Sequence, residues 1–82
     1  FPQLAYAYEA LRAGGCASIV LNAANEIAVD AFLSRRIAFL DIARACREML
    51  DALSLPAPTS LEEVLAADTL ARQKTREVIA RW

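Results

Sequence analysis

The chain has 82 residues, a net charge of −1 and a hydrophobic fraction of 57%, which suits a single domain and no more. Acidic and basic residues are interspersed without a basic cluster, so the charge pattern argues against nucleic-acid binding. No apolar run reaches the length of about 18 residues that a membrane span needs, and we expect no signal peptide. Two cysteines, with no Cys-x-x-Cys pair and no histidine, indicate neither a zinc site nor a disulfide scaffold.

A first helix is predicted in the residues before the two glycines. Pro2 suits the first turn of a helix, where its missing N–H is not needed. The apolar stripe that follows consists of Leu4, Ala7, Tyr8 and Leu11. Gly14 and Gly15 should end this helix, one of them in the left-handed conformation that glycine adopts readily. Because the chain starts at Phe1 without a methionine and enters a helical pattern at once, we expect a piece of a longer protein.

Residues 18–33 predict a long central helix, around which the rest of the chain is organised. Its apolar face consists of Val20, Ala24, Ile27, Ala28 and Ala31, with Leu21 and Phe32 at the edge. Apolar residues such as Val29 and Leu33 interrupt the opposite face, so we expect protein contacts around most of this helix. Asn22 lies between them on the helical wheel. We therefore expect its amide to be buried and bonded to the backbone of the 34–40 connector or to a neighbouring helix, since an unpartnered buried amide costs about 1–3 kcal/mol.

The connector and the third helix follow. We expect Ile37, Phe39 and Leu40 of the connector to be fixed to the core, and Asp41 to cap the third helix. The apolar stripe of that helix consists of Ile42, Ala45, Cys46, Met49, Leu50 and Leu53. Its opposite face carries the i,i+4 pairs Arg44–Glu48 and Arg47–Asp51.

The last part of the chain begins with a break at Pro56 and Pro58, followed by a capping box at residues 60–63. In that box the Ser60 hydroxyl should accept from the amide of Glu63, and the Glu63 carboxylate should reach back. Residues 61–82 form either one kinked helix or two, and we favour two, with Asp68 capping the second. The face of that second helix would carry Ala71, Thr75, Val78, Ile79 and Trp82.

Together these elements predict an all-α fold, a small irregular bundle of about four to five helices in a single domain over residues 1–82. We expect strands to be absent, because β-branched and polar residues do not alternate for long. The predicted core consists of Leu21, Ala24, Ile27, Ala28, Phe32, Phe39, Met49, Leu50 and Val78.

The best candidate for metal chemistry is a carboxylate pair on the central helix. Glu26 and Asp30 lie one turn apart and could share a divalent cation, although a site would need more oxygen ligands. The simpler interpretation is a half-solvated face beside Arg35 or Arg36. In the same way Asn22, Asn25 and Glu26 could contact a ligand, but hydrogen bonds between helices or to loop backbone explain such amides more simply.

Acid–base and nucleophilic chemistry are poorly supplied. Without a histidine, the candidates are Lys74, which stands alone on an exposed face, and Tyr6 and Tyr8, which lie beside alanines in the first helix. Ser18 and Ser34 have no evident base, and no glycine-rich phosphate loop exists. The residues therefore predict a helical domain with no catalytic, cofactor-binding or metal-ligating side chain.

A resemblance to a known family adds to this interpretation. The run Ala13-Gly14-Gly15, the motif Leu21-Asn22-Ala23-Ala24-Asn25-Glu26, the segment Ala31-Phe32-Leu33 and the segment Phe39-Leu40-Asp41-Ile42 resemble the C-terminal region of deoxyxylulose phosphate reductoisomerase. The likeness also includes Ala28-Val29, Ile37 and Ser60 to Leu65, and it extends from Phe1-Pro2 to near the C-terminus. Departures from the family pattern occur at Gln3, Cys16 and Ala43, none of which lies in a catalytic motif.

This resemblance implies part of an enzyme that rearranges 1-deoxy-D-xylulose 5-phosphate and reduces the product with NADPH to 2-C-methyl-D-erythritol 4-phosphate. That reaction belongs to non-mevalonate isoprenoid synthesis and uses Mg²⁺ or Mn²⁺. In the family the cofactor-binding and catalytic domains precede the helical domain, so no site residue is transferred to this chain. The implied whole protein is a cytoplasmic bacterial homodimer in which the helical domain packs on the catalytic domain. The alternative is a free-standing helical protein-interaction module.

Overall fold

The structure, a computed structural model, describes residues 14–82 and contains three helices in that range. We number them α1 (Ala17–Leu33), α2 (Leu40–Ala52) and α3 (Leu61–Ala80). The described part of the chain has no strand, which confirms the all-α prediction. The predicted first helix falls on residues 1–13 and lies outside the described residues. The predicted number of four to five helices is too high by at least one, because residues 61–80 form a single helix.

The turn before α1 depends on its two glycines. Gly14 and Gly15 both have positive φ angles, 69° and 59°, whereas the sequence predicted this for one of them. A Cβ atom on Gly15 would lie 2.6 Å from the carbonyl oxygen of Leu55, so only glycine fits the close approach of the two backbones. The adjacent N–H of Cys16 donates to that same oxygen at 3.3 Å. The turn therefore fixes the start of α1 against the segment that leads into α3.

Helix α1 is the centre of the bundle and packs against both α2 and α3, which contact each other less. Its fully buried positions are mostly alanines, namely Ala23, Ala24, Ala28 and Ala31, together with Val20. Small side chains let helix axes approach closely, so these positions determine the spacing of the bundle. The core consists of two groups. One is centred on Val20, Cys46 and Met49, and the other on Ile27, Ile42 and Ile79.

The turn between α1 and α2 closes with a left-handed residue that is not glycine. Arg35 has a φ angle of 62°. The N–H of Arg35 donates to the carbonyl of Phe32, and the N–H of Arg36 donates to that of Ala31, each at 2.9 Å. These two bonds are the 5→2 and 6→1 pairs of a Schellman motif, which satisfy carbonyls at the end of α1.

The connector was predicted to be fixed to the core, and this is wrong for two of its three apolar residues. Phe39 is 67% exposed and Leu40 is 77% exposed, while Ile37 is partly buried against the second core group. The Phe39 ring does contact the edge of Phe32, with 5.6 Å between centroids. The Schellman turn directs the chain into α2 before these residues reach the interior, so the predicted core loses Phe39.

Most of the remaining predicted core is confirmed. Fully or nearly fully buried are Ala24, Ile27, Ala28, Met49 and Val78. Partly buried are Leu21, Phe32 and Leu50. Both predicted i,i+4 ion pairs on α2 form, with nitrogen–oxygen distances of 3.5 Å for Arg44–Glu48 and 2.8 Å for Arg47–Asp51.

The start of α2 differs from the prediction. Asp41 is not the N-cap residue, because the helix begins at Leu40 and Phe39 occupies the cap position without a side-chain bond. The Asp41 carboxylate instead reaches back and accepts from the backbone N–H of Ala38 at 2.9 Å. It stabilises the first turn as an acidic residue near the positive end of the helix.

Helix α3 starts as predicted and then continues without a break. The Ser60 hydroxyl accepts from the N–H of Glu63 at 3.1 Å, but the Glu63 carboxylate accepts from the Thr59 hydroxyl and not from the backbone of Ser60. Asp68 does not cap a second helix. It lies in the middle of α3 and pairs with Arg72 one turn later, at 2.8 Å, which favours a continuous helix.

Candidate functional site

The exposed face of α1 carries the polar residues that the sequence singled out. A shallow depression of about 340 Å³ there is lined by Asn25, Glu26, Val29, Asp30 and Leu33. Asn22 is exposed on the same side of the helix, so the prediction that its amide is buried is wrong. The pattern failed because the apolar residues on this face do not contact α2 or α3 closely enough to exclude water.

Glu26 is held by an ion pair between helices. The Nη2 atom of Arg72 on α3 binds the Glu26 carboxylate, and the Nε atom of Arg72 donates to Asp68 at 2.8 Å. Hydrogen bonds to Asp68 and then to Glu26 raise the pKa of the Arg72 guanidinium above its ordinary value. The predicted neighbours Arg35 and Arg36 lie beyond the end of α1 and are not the partners. Arg72 therefore links α1 to α3 through one carboxylate on each helix.

This arrangement is a poor match for a divalent cation. Mg²⁺ needs near-octahedral oxygen coordination and keeps several waters, whereas the Glu26 carboxylate already binds a guanidinium. Among residues 14–82 no group of three or more histidine, cysteine, aspartate or glutamate side chains is close enough to hold a metal. The donors that the structure describes do not fit Mg²⁺ or Mn²⁺, so no catalytic step is derived through a metal here.

An apolar groove of about 230 Å³ lies where the segment before α3 crosses the start of α1. It is lined by Cys16, Leu55, Pro56, Pro58, Glu63, Ala66, Ala67 and Leu70. The Cys16 thiol donates to the carbonyl of Pro56 at 3.1 Å. A dinucleotide needs N–H donors or cations at its phosphates, and the charged group that this groove offers is the carboxylate of Glu63. The groove is therefore not suited to NADPH.

The remaining candidate side chains have structural surroundings or lie outside the described residues. Lys74 lies 4.0 Å from Glu77, one turn along α3. Ser18 and Ser34 are exposed at the two ends of α1. Tyr6 and Tyr8 belong to the undescribed first 13 residues.

One contact that the sequence did not indicate is a cation–π pair. The guanidinium of Arg44 on α2 lies 4.0 Å from the centroid of the Trp82 ring, and the same side chain pairs with Glu48. Such a contact contributes about 0.5–1 kcal/mol at an exposed site. It joins the residue after α3 to α2, just as Arg72 joins α3 to α1.

These features define the class of protein: an all-helical domain whose described charged groups link helices to one another and do not converge on a pocket. No helix within residues 14–82 has the length and apolar character that crossing a membrane requires.

Comparison with known proteins identifies the family. Residues 1–74 match the model of the DXP reductoisomerase C-terminal domain, and this chain belongs to that family. It is 56% identical over 81 residues to the 1-deoxy-D-xylulose 5-phosphate reductoisomerase of Burkholderia multivorans, and 54% identical to that of Burkholderia mallei. Each match covers 99% of this chain but only 20% of the relative, so the chain spans about one fifth of their length.

A solved structure has the same fold. It is the 1-deoxy-D-xylulose 5-phosphate reductoisomerase from Zymomonas mobilis in complex with NADPH. The match has a TM-score of 0.94 and 46% sequence identity, and it covers 96% of this chain and 21% of that one. The predicted resemblance is therefore confirmed.

Proposed function

We propose that this chain is the C-terminal helical domain of a 1-deoxy-D-xylulose 5-phosphate reductoisomerase and that its role there is structural. The whole enzyme would use NADPH to convert 1-deoxy-D-xylulose 5-phosphate to 2-C-methyl-D-erythritol 4-phosphate, a step of isoprenoid precursor synthesis. No catalytic, cofactor-binding or metal-ligating residue is assigned to residues 1–82.

The observation that carries the proposal is the agreement of fold and sequence with the Zymomonas mobilis enzyme over 96% of this chain. That protein is described in complex with NADPH, which supports NADPH as the cofactor of the whole enzyme. The absence of strong ligand chemistry in the described residues supports a structural role. The alternative of a free-standing interaction module is disfavoured, because the family and the two Burkholderia relatives are the same reductoisomerase.

Further properties of the whole enzyme are part of the proposal. The catalytic domain of the same polypeptide would be the direct partner of this domain, and the enzyme would be a homodimer in the bacterial cytoplasm. Mg²⁺ or Mn²⁺ would be bound by residues outside this chain, because the carboxylate best placed on α1 is committed to Arg72. We propose no nucleic-acid partner and no membrane association.

The test is a comparison of two purified proteins, the complete polypeptide that contains these 82 residues and the same polypeptide without them. Oxidation of NADPH is followed with 1-deoxy-D-xylulose 5-phosphate and Mn²⁺ present. The complete protein should be active, and a protein that fails to oxidise NADPH with this substrate would contradict the assignment.

The structural role has its own control in the same experiment. The shortened protein should have a lower melting temperature and less activity, but it should retain NADPH binding, since the cofactor site is assigned to the missing four fifths of the enzyme. Complete loss of NADPH binding by a folded shortened protein would show that the helical domain contributes to the cofactor site.

A further inference from the structure

The turn between α1 and α2 exposes an unusual concentration of apolar surface. Leu33 is 72% exposed, Phe39 67% and Leu40 77%, and the three lie within eight residues of the chain. Arg35 and Arg36 are exposed between them. We call Leu33, Arg35, Arg36, Phe39 and Leu40 the turn patch. Large apolar side chains that cluster on a surface and are bordered by polar groups are typical of contact surfaces.

The backbone of the turn patch is strained at the residue that carries one of its charges. Arg35 occupies the left-handed position of the Schellman motif, where glycine is the usual residue because it has no Cβ. An arginine there costs about 1 kcal/mol relative to glycine. The side chain of Arg35 has no contact with another described residue that would offset this cost within the domain. Strain of this kind is found where a side chain is needed for contact or function.

The two guanidinium groups are available for a partner. Within residues 14–82 neither Arg35 nor Arg36 forms an ion pair, whereas Arg44, Arg47 and Arg72 all do. A matching surface would therefore be apolar at its centre and carry carboxylates at its edge. Charge complementarity of this type fixes the orientation of two surfaces.

We propose that the turn patch is the surface on which the preceding part of the same polypeptide docks, through an apolar face bordered by carboxylates. This inference rests on the proposed function. The family is that of a C-terminal domain, and about four fifths of each related enzyme lies outside the matched region, so a large neighbouring surface exists. A second copy of the turn patch is a worse occupant, because a two-fold contact would bring the four arginines of the two copies together.

Hydroxyl-radical footprinting of the complete enzyme tests the proposal directly. Phe39 is compared with Leu61, which is 72% exposed at the start of α3, and each residue is normalised to its labelling in denatured enzyme. Docking should reduce labelling of Phe39 about five-fold or more relative to Leu61, as for a side chain that enters the buried centre of an interface. Equal normalised labelling of the two residues would overturn the proposal.

Two further measurements separate the alternatives. If protection of Phe39 disappears when the enzyme is diluted to monomers, the occupant is a second copy and the proposal fails. NADPH oxidation by the same preparation is measured independently. An inactive enzyme with Phe39 protected would refute the proposed function alone, whereas an active enzyme with Phe39 fully labelled would refute the docking surface alone.

Matched variants of the complete enzyme test the contribution of each part. Phe39→Ser with Leu40→Ser should lower the melting temperature by several degrees, while Leu61→Ser with Leu65→Ser should leave it nearly unchanged. Arg35→Gly relaxes the turn and removes one charge. It should therefore increase labelling of Phe39 without lowering helix content. Equal effects of the two double variants, or unchanged labelling in Arg35→Gly, would overturn the proposal.

Discussion

Substitution of Gly15 by alanine tests the packing at the start of α1, with Gly14 as the matched control. Both glycines have positive φ angles, so alanine at either position should cost about 1–2 kcal/mol from the left-handed conformation. The surroundings differ. A Cβ on Gly14 meets nothing within 4 Å, whereas a Cβ on Gly15 would lie 2.6 Å from the carbonyl oxygen of Leu55.

The difference between the two variants therefore isolates the close approach. Displacing the Leu55 carbonyl also disturbs its bond from the Cys16 N–H, and overpacking of this kind costs about 1–3 kcal/mol. We expect Gly15→Ala to be destabilised by about 2–5 kcal/mol in total, which is a large part of the stability of a domain this small. Gly14→Ala should lose only the first contribution.

The assay is urea denaturation of the 82-residue chain and its two variants, followed by circular dichroism at the helical signal. Gly15→Ala should have the lower denaturation midpoint, with the same dependence on urea as Gly14→Ala. If the two variants have equal midpoints, the backbone of residue 55 does not approach Gly15 as closely as the structure indicates, and the account of this turn is wrong.

Three other substitutions should give smaller or opposite results in the same assay. Asn22→Leu should change the free energy of unfolding by less than about 0.5 kcal/mol, as for a surface position, and a loss above 1 kcal/mol would mean that its amide is bonded in the interior. Ser60→Ala should lose about 1 kcal/mol through the missing N-cap bond to Glu63, with Ser54→Ala, at an exposed position, as the control. Ala71→Leu should lose about 1–3 kcal/mol, because Ala71 is fully buried in the core, and a near-neutral result would indicate a looser core.

Periodic apolar patterns predicted the helices and most of the core because a 3.6-residue repeat determines which side of a helix faces its neighbours. The pattern succeeded for Val20, Ile27 and Met49, which are buried. It failed at Phe39 and Leu40 because the direction of the chain there depends on the left-handed Arg35, and arginine gives no local signal for that conformation. Asn22 was misplaced because hydrophobic neighbours on a helix do not by themselves guarantee a packing partner.

Contacts between distant residues were the least predictable part. The pair between Arg72 and Glu26 joins residues that are 46 positions apart, and a helical wheel contains no information on which helix lies opposite. The only local signal was the i,i+4 spacing of Asp68 and Arg72, which also indicated that α3 continues through Asp68. The resemblance to the reductoisomerase family came from sequence motifs and was confirmed, whereas the assignment of no site residues stays a prediction.

The central claim, that this domain stabilises the enzyme without holding its cofactor or metal, is tested most directly by calorimetric titration of the folded 82-residue chain. Circular dichroism first establishes that the chain is helical. Titration with NADPH, and separately with Mn²⁺, should then give no binding at micromolar concentrations. Micromolar binding of either ligand would contradict the account and show that the helical domain carries part of the active site.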